Sequence, residues 1–170
     1  MDYDYDVVIV GAGPVGGYAS RLLCERGLSV LMIEEHTEIG RPFQCAGLVT
    51  PSAMHAVEAY GTVVQDVDGA LIHGPSGTLV PVGKDGDLRT YVVCRKRFDQ
   101  EVVQQGLKAG ADIVLESQPT DAVIHPDGVL VTIKNQRTNK ERQVSCKLFI
   151  GCDGAHSWVR RKFKMGHPKE

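Results

Sequence analysis

Residues 6–35 run strand, glycine-rich turn, helix, strand, and no other stretch narrows so far what the chain can fold into. Val7, Val8, Ile9 and Val10 form an unbroken β-branched run, the pattern of a strand covered on both faces rather than one. Gly11, Gly13, Pro14, Gly16 and Gly17 break that run. Residues 18–26 then hold helix formers, and Gly27 stands where a helix C-terminus favours glycine. Residues 29–33 are a second apolar strand, closed by Glu34 and Glu35. A strand, helix and strand within so few residues form a βαβ unit, which demands parallel pairing and a right-handed crossover.

The turn has its own chemistry. Gly11-Ala12-Gly13-Pro14-Val15-Gly16 has the form GxGxxG, placed between strand and helix. Gly11 permits the tight turn, Gly13 lets backbone approach a pyrophosphate, and Gly16 allows close packing of helix on strand. The phosphates then meet the helix N-terminus, where free N–H groups and the dipole favour anions. Ser20, a small residue one helical turn further on, extends the pattern. Glu34 follows Gly11 by 23 residues and closes the second strand, where a carboxylate accepts ribose hydroxyls. Glu34 and Glu35 would repel a 2′-phosphate, which disfavours NADP. FAD and NAD both remain open at this point.

Further along, residues 36–50 lack a period and are punctuated by Gly40, Pro42 and Gly47, the mark of a long functional loop. Residues 51–60 suit a short helix. Residues 70–73 and 78–82 flank Gly74-Pro75-Ser76-Gly77 as a hairpin within a β region spanning 62–94, and residues 90–94 read as another strand. Phe98, Val102 and Leu107 mark one face of a helix over 95–110. Residues 112–115, 122–125, 129–134 and 142–150 alternate with turns and read as a β meander over 112–150. That meander delivers Phe149-Ile150 into Gly151-Cys152-Asp153-Gly154, with Ser157 and Arg160 opening a helix in a motif over 151–160. Neither an internal repeat nor a low-complexity linker interrupts the 170 residues, so a single domain is expected.

Composition excludes several classes. With 19 basic and 21 acidic residues the net charge is -2, so no global field draws nucleic acid. No apolar run reaches the roughly 18 residues of a membrane span. The charge is uneven: residues 160–170 carry five basic side chains and one acidic, a solvated helix start or a surface for anionic lipid. Cys24, Cys45, Cys94, Cys146 and Cys152 are odd in number and form no CxxC pair, which argues against zinc ribbons and disulfide frameworks and suits a reducing cytoplasm. The histidines lack ligand spacing, so no metal is expected, and no GxSxG nucleophile elbow occurs.

The N-terminal fingerprint, Arg95 within residues 91–99, and the Gly151-Cys152-Asp153-Gly154 motif resemble the glutathione-reductase-type FAD superfamily that includes aromatic hydroxylases. Within it, Glu38-Ile39-Gly40-Arg41-Pro42-Phe43-Gln44-Cys45-Ala46-Gly47-Leu48 is similar to the archaeal geranylgeranyl reductases. The resemblance implies an α/β, Rossmann-like FAD-binding domain with an added antiparallel β segment. It implies reduction of isolated double bonds in polyprenyl chains of membrane lipids through FADH2. On that basis Val15 and Glu34 contact FAD, and Cys45, Ala46 and Gly47 lie along it. Arg95 approaches the flavin's phosphate region, a backbone contact falls near Pro119 or Thr120, and Asp153 and Gly154 complete the pyrophosphate and ribityl surroundings. Cys45 has two interpretations: a thiol that protonates the substrate, or a small residue that tolerates close packing. A soluble donor, NAD(P)H or reduced ferredoxin, and a peripheral membrane location are implied as well.

The loop departs from the family by reading Cys45-Ala46-Gly47, one residue and one carboxylate short of a Cys-Gly-Glu-Gly form. The family's C-terminal half, with its second flavin-binding segment and its prenyl enclosure, has no counterpart, so the chain is expected to be a truncated N-terminal portion. Two alternatives stand beside the reductase. One is an FAD monooxygenase of the aromatic-hydroxylase type, and the other is a nucleotide-binding fragment without catalysis of its own.

Overall fold

The structure, a computed structural model, describes residues 3–42, 45–83 and 90–166. Phe43 and Gln44 of the Cys45 segment, positions 84–89 of the β region and Lys169 of the basic end lie outside the described residues.

Strand β1 (Tyr5–Val10), helix α1 (Pro14–Cys24) and strand β2 (Val30–Ile33) form the βαβ unit, with β1 and β2 paired in parallel. The predicted helix starts four residues earlier than its composition suggests, because Pro14 sits in the first turn, where its missing N–H costs nothing. Side-chain alternation accounts for burial on both faces. Val8, Val10, Leu31 and Ile33 point into one core, and Val7, Ile9, Val30 and Met32 into the other.

Past the loop come β3 (Leu48–Val49), α2 (Pro51–Val57), β4 (Val63–Val67), the hairpin β5 (Ala70–His73) and β6 (Leu79–Val82), and β7 (Thr90–Val93). β3 and β4 flank β7 in a small antiparallel sheet; β4 falls within the predicted β region without having been singled out as a strand, and β3 lies in the stretch expected to be loop, since two residues carry no period. Met54, Val57, Val93, Phe98 and Val102 form the core under this sheet.

Helix α3 (Arg95–Lys108) packs on α1 and leads to β8 (Asp112–Val114). β8 corrects the predicted meander: it pairs in parallel with β2, with Ile33 opposite Val114, at the edge of the βαβ sheet. A strand of three residues after a helix cannot reveal by pattern which neighbour it pairs with. The meander proper is β9 (Ser117–His125), β10 (Gly128–Asn135) and β11 (Glu141–Gly151), followed by α4 (Trp158–Lys162). The sheet order is β8-β2-β1-β11-β10-β9.

One strand serves both halves of this sheet. β11 pairs antiparallel with β10 from Glu141 to Cys146, then in parallel with β1 from Cys146 to Gly151. Cys146, fully buried, stands at the handover, and burial pushes its thiol pKa up to about 11. It belongs to the core with Val131, Val144 and Val159.

α1 and α3 touch through small residues. A Cβ on Gly17 would lie 2.9 Å from the backbone of Val103, and one on Gly106 would collide with the Ser20 hydroxyl. Ser20 is fully buried, and its hydroxyl donates to the Gly17 carbonyl at 2.8 Å. Gly17→Ala is expected to destabilise the protein by about 1–3 kcal/mol, because backbone cannot yield as a side chain can. Urea unfolding reads the loss, and an unchanged midpoint would show the helices free to separate.

Candidate nucleotide and flavin site

The carboxyl ends of β1, β2 and β11 open onto a cleft of about 570 Å³, the place where open α/β sheets bind ligands. Its floor is the turn from Gly11 to Val15. Gly11 donates its N–H to the Ile33 carbonyl at 2.8 Å, and Cys152 donates to the Val10 carbonyl at 2.7 Å. The turn is thus pinned between the ends of β2 and β11. Gly11 has φ +93°, and a Cβ there would strike the Cys152 carbonyl, so glycine is required twice over. Gly16 does not line the cleft; a Cβ on it would collide with the Gly11 carbonyl, so its role is to close the turn.

Gly13 differs. A Cβ on Gly13 would meet no protein atom, and its φ of -77° suits any residue. Nothing in the protein requires glycine there, and its absent Cβ leaves room for a ligand to lie on the backbone. The first helical bond runs from the Gly17 N–H to the Gly13 carbonyl, so the Val15 and Gly16 N–H groups have no acceptor within the helix and remain available to an anion. The Val15 side chain is 68% exposed at the cleft.

Asp153 follows Cys152 and sits directly beside the Gly11 turn. Its Oδ2 accepts the Val159 N–H at 3.1 Å and, with Ser157, caps α4. Its Oδ1 is buried without a hydrogen-bond partner among the described residues. A buried carboxylate oxygen lacking a donor is costly, and a ligand hydroxyl or its water supplies one. Gly154 and the backbone-bearing stretch from Ser117 to Pro119 line the same cleft; Thr120 does not.

Glu34 is buried at the end of β2. Its Oε2 accepts the Ala12 N–H at 2.9 Å, and its Oε1 accepts both the His36 N–H at 3.0 Å and the His36 ring Nδ1 at 2.6 Å. The carboxylate therefore stitches the glycine turn to β2 while still facing the cleft.

Arg95 is the first residue of α3 and holds Asp99 through two bonds, Nε at 3.0 Å and Nη2 at 2.9 Å. Both line the cleft. Cys45, Ala46 and Gly47 do not line it. They lie at its Arg95 end, with Gly47 packed against the Arg95 side chain and its N–H reaching the Cys45 Sγ at 3.5 Å. That N–H and the Arg95 guanidinium hold the exposed Cys45 thiol below the usual thiol range. Asp99, His36 and Arg161 line the cleft but escaped the sequence analysis. For Asp99 the signal was present, since it follows Arg95 by one helical turn. Among the described residues no cluster of His, Cys, Asp or Glu could hold a metal ion.

Residues 4–170 match the FAD binding domain family. The chain belongs to that family. An unpartnered Asp153 oxygen, an open Gly13 and free N–H groups at α1 fit the ribityl and pyrophosphate parts of such a cofactor, and FAD rather than NAD is its cofactor. The chain is 37% identical over 165 residues to digeranylgeranylglycerophospholipid reductase 2 of Methanococcoides burtonii, covering 95% of this chain and 40% of that protein. A geranylgeranyl bacteriochlorophyll reductase-like structure from Thermoplasma acidophilum superimposes with a TM-score of 0.78 at 31% identity, over 88% of this chain and 39% of that one. The anhydrotetracycline hydroxylase OxyS from Streptomyces rimosus has a TM-score of 0.80 at 24% identity, over 98% of this chain and 35% of that one, a likeness of fold alone. The resemblance to geranylgeranyl reductases and the Rossmann-like FAD-binding fold with antiparallel strands are thus borne out. The chain spans about two fifths of the length of the curated relatives it matches.

Two outcomes follow for the turn and the thiol. Gly13→Ala is expected to unfold in urea like the parent chain yet bind FAD at least tenfold more weakly, whereas Gly11→Ala loses stability as well; equal stability losses in both would remove the ligand argument for Gly13. Alkylation of Cys45 by iodoacetamide is expected to reach half its maximal rate at a lower pH than an ordinary thiol, since the thiolate is the nucleophile. Arg95→Met should move that midpoint upward, and a midpoint unmoved by the substitution would deny the guanidinium its influence.

Proposed function

We propose that the chain is the FAD-binding portion of an oxidoreductase that saturates double bonds in the polyprenyl chains of membrane lipids. The observation that carries the proposal is 37% identity to a digeranylgeranylglycerophospholipid reductase over 95% of the chain. FAD, when bound, supplies the hydride. The residues of this chain bind and orient it. Val15 and Gly16 N–H groups take the pyrophosphate over Gly13, Glu34 accepts a ribose hydroxyl, and Asp153 with Gly154 meets the ribityl and phosphate edge. Ser117 to Pro119 flank the nucleotide.

Cys45 supports the reductase over a monooxygenase. A thiol with a depressed pKa, held by Arg95 at one end of the cleft, would be a proton donor for the carbon left after hydride delivery, leaving a thiolate that the guanidinium stabilises. Ala46 and Gly47 follow that thiol, and the Gly47 N–H holds it beside Arg95 at the cleft's end. The electron donor is a soluble one, NAD(P)H or reduced ferredoxin, and the substrate places the enzyme at a membrane surface. Among the described residues no helix is long and apolar enough to cross a membrane.

The purified protein is expected to show flavin absorption near ~450 nm and to release FAD on denaturation. Supplied with reduced donor and digeranylgeranylglycerophospholipid, the holoprotein should add two hydrogens per double bond, read by mass spectrometry. Oxygen consumption with a hydroxylated product, and no saturated chain, would instead establish the monooxygenase.

A further inference from the structure

We propose that His36 is a positioning residue for the adenosine half of FAD, acting through Glu34. The proposal rests on the FAD assignment of the cleft and on the ribose role of Glu34, and it is independent of the lipid substrate.

An ionised carboxylate offers about four lone-pair sites. On Glu34, Oε1 receives two donors, the His36 N–H at 3.0 Å and the ring Nδ1 at 2.6 Å, and Oε2 receives the Ala12 N–H at 2.9 Å. One site on Oε2 is left for a ribose hydroxyl. The short ring contact requires hydrogen on Nδ1, and a charge-assisted bond of that length is among the stronger ones a side chain makes. The far nitrogen of the ring, Nε2, lies 3.9 Å from the Glu35 carboxylate, so the imidazole is bracketed by two acidic groups.

The backbone that carries the ring is tied down. Backbone bonds continue β2 beyond its end: Glu34 donates to the Val114 carbonyl, Ser117 donates to the Glu34 carbonyl at 2.9 Å, and Glu116 donates to the His36 carbonyl at 3.1 Å. With residues 34–36 fixed on β8 and β9, the imidazole has a fixed origin and its contact sets the plane of the carboxylate. The two backbone donors place Glu34, and the ring determines which way its remaining lone pair faces. His36 and Glu34 both line the cleft.

Titration of the protein with FAD, followed by flavin fluorescence, tests this, with ADP and 2′,3′-dideoxy-ADP as competitors. His36→Phe is expected to weaken FAD and ADP about tenfold, the scale of one hydrogen bond to a charged group, and to leave 2′,3′-dideoxy-ADP unchanged. His36→Asn, whose amide N–H reaches the same carboxylate oxygen, should recover most of the affinity. On a Glu34→Gln background, His36→Phe should add little further loss. Equal weakening of ADP and its dideoxy analogue, full affinity in His36→Phe, or additive losses with Glu34→Gln would each overturn the proposal. If Glu34→Gln alone leaves FAD affinity intact, the ribose role of Glu34 fails and the His36 proposal with it. A protein that binds FAD normally but saturates no lipid would leave His36 in place and refute only the lipid reading.

Discussion

The site depends on the pinning of one turn. Where β1 ends, Gly11 donates to β2 and the next residues pass beneath Cys152, the last residue bonded to β1 from the other side. No side chain fits at Gly11, so the ends of three strands can close on one another. That closure carries the first motif, residues 11–16, to the last, residues 151–154, across nearly the whole chain. Glu34 reinforces it by accepting the Ala12 N–H.

β11 extends the same logic. Because it pairs first with β10 and then with β1, the meander and the βαβ unit share a strand and a core, and the Asp153 turn starts from a backbone with no freedom of its own. Asp153 can then divide its oxygens, one capping α4 and one left without a protein donor. Leaving a buried carboxylate oxygen unpaired costs folding free energy, and it is tolerated at sites that a ligand completes. On the other face, α1 and α3 approach closely enough that Gly17, Ser20 and Gly106 must all be small. Their contact sets α3, and α3 sets Arg95 and Asp99.

Much of this was legible residue by residue. The βαβ unit, the glycine turn, Glu34, the hairpin of β5 and β6, α3 and the Asp153 turn each carry a local signature: a period, a glycine spacing, or a carboxylate at a strand's end. β8 was placed in the meander rather than beside β2 because so short a strand looks alike wherever it pairs. β3 and β4 are defined by their partner β7 more than by their own residues. Arg95 was recognised as a site residue, but its commitment to Asp99 was not, although the spacing of four on a helix pointed to it. The Cys45 segment was recognised as near the flavin; Glu38, Gly40, Arg41 and Pro42 of it line the cleft, whereas Cys45, Ala46 and Gly47 sit at the Arg95 end, beside the lining.

By itself the sequence determined the fold class, a dinucleotide as ligand and the residues of the turn from local sterics, and a family resemblance was needed to narrow that ligand to FAD. A glycine is required where no Cβ fits, and β-branched runs are buried on both faces wherever they occur. Tertiary structure alone decided which groups share a carboxylate and which remain unpaired. His36 reaches Glu34, Arg95 reaches Cys45, and Asp153 keeps one oxygen free. Such pairings depend on ångström distances in the folded chain, whether the partners are neighbours, as His36 and Glu34 are, or far apart, as Arg95 and Cys45 are, and no spacing along a sequence encodes those.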